Sequence, residues 1–443
     1  MNLKFSYCLM IAGAMLIIPA CKKDPVVEKH KQTTVSSSDN DSGKKDEQPS
    51  SSPDEAAVLT RIEVVTPPVR TTYLLRSTDP VSLDGLVVEG IYSNGERKKL
   101  EVTAENLSGF STEKAVEQLP VTISLEEKQA SFMMKIIDYV VTDGVLTEVL
   151  EKQGEVYRVP AEAKVISPTA FSTCVFDRIV FSEGVEEIQA DAFRGNPVKE
   201  IVFPKSLRTL GEYCFYGCRN LSRIDLSVTQ VQLIPKRAFS EVGAEEIKLP
   251  VVLQEIASQA FLRPDRLHSM TFPEGLKTIG GEAFRESGVE SITLPNGIKL
   301  IEGRAFYLCQ DLREVRSHGS AGQETEGVMN GGVFQYCPKL SVVEFPESLE
   351  SLGQTLFSGV VNLVSVTLGK NLKKMTFNAL GNSMVKLLAV KTATPPALQT
   401  YSLPQQVERV LVPKGALQTY NQSVGNASLR SSWGILTEKM EEL

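Results

Sequence analysis

The sequence predicts a mainly β protein: a small β-sandwich followed by a solenoid of stacked repeats that carries a parallel sheet. Two observations predict it. One unit built on a phenylalanine anchor returns about ten times beyond Glu155, and short alternating apolar runs separated by turn residues fill the stretch from Leu59 to Asp138. Length agrees, because 443 residues exceed what one hydrophobic core usually supports and call for two or more folded units.

Composition narrows the function. Hydrophobic residues at 42% and charged residues at 23% are ordinary for soluble globular protein. A net charge of -7 argues against a nucleic-acid binder, which is normally basic. Three histidines and one tryptophan leave little material for metal or acid–base sites.

Residues 1–20 read as an export signal: Lys4 gives a short positive end, and "CLMIAGAMLII" an apolar core too short to span a bilayer. The stretch closes on "IIPAC", in which Cys21 follows the small Ala20. It resembles a bacterial lipobox, although Ile18 and Pro19 depart from the commonest residues; the resemblance implies that Cys21 is lipid-modified. The "KKD" that follows resembles the lysine/acidic tags of surface-displayed lipoproteins in some Gram-negative bacteria. Residues 21–57 are rich in Ser, Asp and Lys and poor in large apolar side chains, so burial cannot offset their ordering entropy. A disordered tether is expected.

Between 58 and 138 the runs "TRIEVV", "LVVEGIYSNGERKKLEV", "VTISL" and "ASFMMKII" read as short strands. Asn94-Gly95 predicts a type I′ hairpin turn, which needs positive φ at both positions. Short strands at this spacing suggest a β-sandwich. The pattern resembles bacterial Ig-like domains, which implies a spacer module.

The solenoid is expected over 139–413. Its anchors are Phe171, Phe193, Phe215, Phe239, Phe261, Phe284, Phe306 and Phe334, with looser copies at Phe357 and Leu380. Successive anchors stand 22, 22, 24, 22, 23, 22, 28, 23 and 23 residues apart, a period that marks stacked repeats. Five residues before each anchor sits an aliphatic such as Ile166, Ile188 or Ile256; beyond it runs a strand often closed by proline, as in "IVFP" and "ITLP". No unit can bury its apolar face alone, so stacking should place the phenylalanines in one interior column and a sheet along one face. Each buried phenylalanine contributes roughly 1.5–3 kcal/mol. The pattern closely resembles the BspA-like leucine-rich repeats of bacterial surface proteins, and that resemblance implies surface display, no catalysis and, in several members, adhesion to host or bacterial partners. Residues 414–443 break the period and should cap the stack, with Tyr420 and Trp433 as cover.

Cys174, Cys218, Cys309 and Cys337 each follow their anchor by three residues, where other units carry Asn196, Ser287 and Ser383. A position that accepts several small residues reads as packing rather than chemistry. A Cys309–Cys337 disulfide stays open, because the two lie in adjacent units. His268 and His318 are isolated, and no nucleophile elbow or phosphate loop is present, so no catalytic residue, metal or cofactor is expected. The interval of 28 residues carries an insertion, Ser317–Gly327.

The expectation is therefore a lipid-anchored, surface-exposed protein of a Gram-negative outer membrane, with a non-catalytic head for adhesion or protein recognition. Its partner would be a host or bacterial surface protein. Arg316 and His318 beside the insertion, with Arg223 and Lys248 on strands, are the candidate contacts. Surface capture of glycan is the alternative; the few Tyr and Trp residues, assigned here mostly to core or cap, count against it.

Overall fold

The computed structural model describes residues 56–318, 326–381, 383–404, 406–423 and 432–443. The signal, Cys21 and nearly all of the tether lie outside them, as do residues 319–325 of the insertion.

The first module has seven strands: β1 (Leu59–Thr66), β2 (Thr72–Leu74), β3 (Val87–Tyr92), β4 (Arg97–Leu100), β5 (Leu107–Ser108), β6 (Val116–Leu125) and β7 (Lys128–Ile137). They form two sheets, ordered β1-β3-β4 and β2-β7-β6-β5. Both contribute to one core that includes Ile62, Val88, Tyr73, Ile123 and Phe132. The hairpin at Asn94-Gly95 corrects the expected turn. Only Gly95 is left-handed there, at φ 82°, and its N–H donates to Tyr92 O at 2.9 Å, so the loop is a type I turn closed by a glycine bulge. The two-residue turn with positive φ at both positions joins β6 to β7 instead, at Glu126 and Glu127 with φ 46° and 66°.

From Tyr139 onward the chain coils. A hairpin of Tyr139–Thr142 and Val145–Val149 starts the stack, and Val145–Leu146 pairs in parallel with Val165–Ile166. Each coil then contributes two strands, where the sequence suggested one. The proline-closed strands, such as Glu200–Val202 and Ser291–Pro295, line one side. The aliphatics five residues before the anchors sit in strands of mostly two residues, such as Glu187–Ile188 and Glu255–Ile256, and these make a second parallel sheet on the other side. Two residues are too few to show an alternating pattern.

The anchor turn forms a third ladder. Asp191, Tyr213, Arg237, Gln259, Glu282 and Arg304, each two residues before its anchor, are left-handed with φ between 54° and 61°. In the Phe193 coil the amides of Asp191, Phe193 and Gly195 all donate to the next coil, at 3.1, 2.7 and 2.7 Å. Inside this turn the rings stack: Phe193–Phe215 centroids lie 5.1 Å apart, and Phe261–Phe284 5.2 Å, with interplanar angles of 11° and 13°. Leu403 continues the column as an eleventh, fully buried anchor, preceded by Tyr401 at φ 58°. It stands 23 residues after Leu380, in the period of the anchors before it.

At the far end a short helix (Leu417–Asn421) and a 3-10 turn (Trp433–Lys439) close the core. Trp433 is 1% exposed, donates from Nε1 to Pro396 O at 2.9 Å and packs edge-on against Tyr420. The last strand is Met440–Glu442, which pairs with Arg409–Val412 and extends the long-strand sheet by one.

The insertion leaves the stack closed. Asn296, at the corner before the Phe306 coil, accepts at Oδ1 from Glu347 N at 2.9 Å and at its carbonyl from Ser348 N at 3.1 Å. Ser348 Oγ donates to Ile298 O at 2.5 Å. These bonds join the coils on either side of the insertion directly, across about fifty residues of chain.

Candidate recognition face

Along the long strands the middle residue points inward and its neighbours outward, as period two requires. Ile224, Ile247, Met270, Ile292 and Val315 form the buried row. The outward positions beside them are Arg223 and Asp225, then Glu246 and Lys248, then Ser269 and Thr271, then Ser291 and Thr293, then Glu314 and Arg316.

Two of the four expected contacts meet. Arg223 and Glu246 face each other in register, as do Asp225 and Lys248. Arg223 Nε lies 3.1 Å from Glu246 and its Nη2 3.5 Å from Asp225; Lys248 Nζ lies 3.5 Å from Glu246 and 3.8 Å from Asp225. Partial burial by itself raises the Asp225 pKa, but the Ser227 hydroxyl and amide, Lys248 and Arg223 outweigh it and hold the carboxylate below its ordinary value. The result is an exposed square of alternating charge.

The other two stand apart. Arg316 is on the same face three strands further along, roughly 15 Å at the ordinary strand spacing, and pairs with Glu314 of its own strand. His318 is half-buried, and its Nε2 donates to Phe272 O at 2.9 Å, so its ring is committed to the backbone of an earlier coil.

A second surface carries tyrosines that the assignment of most of them to core or cap passed over. Tyr213, Tyr216, Tyr307 and Tyr336 ride outside the anchor turns. Arg194 sits 5.5 and 5.0 Å from the Tyr213 and Tyr216 rings, Arg285 and Arg304 lie 5.4 and 5.6 Å from Tyr307, and Tyr307 meets Tyr336 edge-on. Reading the positions two before and one or two after each anchor as an outward ridge would have found them in the sequence.

The described cysteines are interior and free: Cys174, Cys214, Cys218, Cys309 and Cys337 form no disulfide. Position three after the anchor does more than fill space. The thiols of Cys218, Cys309 and Cys337 donate to the anchor carbonyls of the preceding coil, Phe193, Phe284 and Phe306, at 3.0, 3.2 and 3.1 Å. Asn196 Nδ2 does the same to Phe171 O at 3.1 Å. Among the described residues, no group of three or more His, Cys, Asp or Glu side chains is placed to hold a metal ion.

The family described as BspA type leucine rich repeat region matches residues 164–261, 232–325 and 327–424 in six copies. Among solved structures, a leucine-rich repeat protein from Bacteroides ovatus is 20% identical and covers 64% of this chain and 79% of its own, with a TM-score of 0.43. The pneumococcal vaccine antigen PcpA is 17% identical over 72% of this chain and 96% of its own, with a TM-score of 0.29. The Treponema pallidum leucine-rich repeat protein is 22% identical over 53% and 86%, also at 0.29. No curated protein sequence matches.

Proposed function

Because the chain belongs to the BspA-type leucine-rich repeat family, we propose that it is a non-catalytic recognition protein whose outward long-strand face docks a partner protein. The charged square of Arg223, Asp225, Glu246 and Lys248 carries the reading. Exposed ion pairs contribute only about 0–1 kcal/mol each to folding, so four charges held in register there are better suited to matching a complementary surface. Replacing Arg223 and Lys248 by Glu in the full chain should weaken a partner captured by the parent protein by about tenfold or more. Parental affinity in the double variant would exclude the square as the contact.

Surface presentation belongs to the same proposal: an acyl group on Cys21, the tether of residues 21–57, an Ig-like spacer over 58–138, and display on the outer membrane of a Gram-negative cell. The lipobox-like "IIPAC" supports it. Cys21→Ala should move the protein from the membrane to the soluble fraction, and unchanged retention would remove the acyl anchor from the reading.

The tyrosine ridge favours a second reading, capture of surface glycan, since sugar rings stack on aromatic faces while arginines bind hydroxyls. Loss of binding to a glycan array in Tyr307→Ala, with protein capture intact, would select it.

A further inference from the structure

The solenoid is interrupted at one level on both sides. Between the Phe215 coil and the Phe239 coil that follows it, neither sheet is continuous: Glu200–Val202 is not laddered to Arg223–Asp225, and Thr209–Leu210 is not laddered to Leu233–Ile234. Elsewhere in the short-strand sheet, the residue four before the anchor donates its N–H to the coil above. Gly211 does so to Ile188 at 2.7 Å, Ala257 to Ile234 at 2.9 Å, Gly280 to Ile256 at 2.7 Å and Glu302 to Ile279 at 2.8 Å. In the Phe239 coil that position is Pro235, which has no N–H, so Leu210 O receives no such bond. The same repeat is lengthened to 24 residues between anchors.

On the long-strand side the recurring bonds stop at the same level; they stop again between Glu246–Lys248 and Ser269–Thr271, but there the short-strand sheet runs through, from Glu255–Ile256 to Thr278–Ile279. Lys199 N donates to Asp177 O at 2.9 Å and Glu245 N to Ser222 O at 2.8 Å, yet among the described residues Ser222 makes no equivalent bond to Lys199. Cavities of about 280 and 300 Å³ open in the two breaks, one over Ile201 and Phe203, the other beside Leu210 and Leu233. Ile201, Phe203 and Leu210 keep 5–6% exposure beside these openings, while Leu253, Ile256 and Leu276 further along keep none.

The anchor ladder runs through unbroken. Tyr213, Phe215 and Gly217 donate to Lys236, Ala238 and Ser240 at 3.1, 2.9 and 2.9 Å, and the Phe215 and Phe239 rings stack at 5.2 Å. Opposite it, among the described residues, a single backbone corner bond remains, Gln230 N to Leu207 O at 2.8 Å. One continuous ladder with both flanking sheets open is the geometry of a hinge whose axis is the anchor turn.

We infer that the solenoid pivots at this level, with the ladder of residues 213–217 on 236–240 as the axis, Gln230–Leu207 as the latch, and Pro235 as the residue that keeps the short-strand sheet open. The inference rests on coil geometry and not on the docking reading. Motion here changes the angle between the first coils and the face that carries Arg223 and Lys248.

Spin labels on the full chain test it. Arg178→Cys with Glu246→Cys spans three coil steps across this break alone, and Ser291→Cys with Ser365→Cys spans three uninterrupted steps of the same face. The native cysteines described are buried and stay unlabelled. Electron–electron distance measurements should give a broader distribution for the first pair, and Pro235→Ala, which restores an N–H, should narrow it. Amide exchange at Arg223–Asp225 should also exceed that at Ser291–Pro295. Equal widths and equal exchange would overturn the hinge; a broad first pair that Pro235→Ala leaves unchanged would overturn the part given to Pro235.

Discussion

The Cys218 thiol donates to the carbonyl oxygen of Phe193 across 3.0 Å, one coil toward the N-terminus. Phe193 is an anchor, both residues are buried, and this carbonyl faces the interior of the stack. That oxygen also accepts from Asn196 N at 2.9 Å, so loss of the thiol removes one of its two bonds, and a typical hydrogen bond contributes about 0.5–1.5 kcal/mol net. Cys218→Ala and Cys218→Ser remove similar volume, but only serine keeps a donor. The serine variant should therefore unfold at higher denaturant than the alanine variant, by about 1 kcal/mol in stability. Equal midpoints would reduce the position to packing alone.

The same thiols set a dependence on alkaline pH. Burial raises the Cys218 pKa to about 12 and pushes Cys214 higher still; Cys309 is raised by burial and by its neighbour Cys337. An unfolded thiol ionises near 8.5, so the fold favours the protonated form. Its contribution is complete below about pH 8.5 and is lost as pH climbs toward the folded value. For Cys218 alone the loss approaches about 1.4 kcal/mol per pH unit across that window. Denaturation midpoints measured from about pH 8 to about pH 11 should fall faster for the parent than for Cys218→Ser. Parallel curves would show that this thiol titrates normally.

Phe261 stands mid-column, fully buried, with Phe239 and Phe284 stacked at 5.6 and 5.2 Å. Phe261→Ala should cost about 3–5 kcal/mol through the cavity it leaves. Stability in stacked repeats passes between neighbours, so amide protection should fall at Phe239 and Phe284 as well. An unfolding midpoint equal to the parent's would contradict an interior column.

The anchors were legible because a ring that must stack on its neighbour fixes both residue type and spacing. The second sheet was not, since pairs such as Glu187–Ile188 are held by backbone amides, Glu187 N to Lys164 O and Gln189 N to Ile166 O, and leave only an aliphatic as a trace. Asn94-Gly95 misled because Tyr92 accepts from Gly95 in a three-residue loop, while Glu126-Glu127 takes the tight turn against its composition. Of the candidate face, Arg223 and Lys248 were named as contacts without their facing, and Asp225 and Glu246, which complete the square, follow only from the register of two strands 23 residues apart. His318 looked available and is committed to Phe272.

The closure beneath the insertion turns on Gly327. Its N–H donates to Ser348 O at 3.0 Å, and a Cβ at this position would stand 2.6 Å from that oxygen and 2.9 Å from Ile298 O. Both are backbone atoms tied into the corner by Ser348, so neither can swing aside as a side chain would. Gly327→Ala should therefore destabilise the protein by about 1–3 kcal/mol through overpacking. The bonds from Asn296 and Ile298 to Glu347 and Ser348 do not involve the inserted residues, so exchanging residues 320–324 for serine and glycine should leave the midpoint where it is. Thermal and urea unfolding of the two variants separate a structural corner from a tolerant insertion. If Gly327→Ala were as neutral as the loop exchange, the coils would not close on each other at Ser348, and the stack would have to run through the insertion itself.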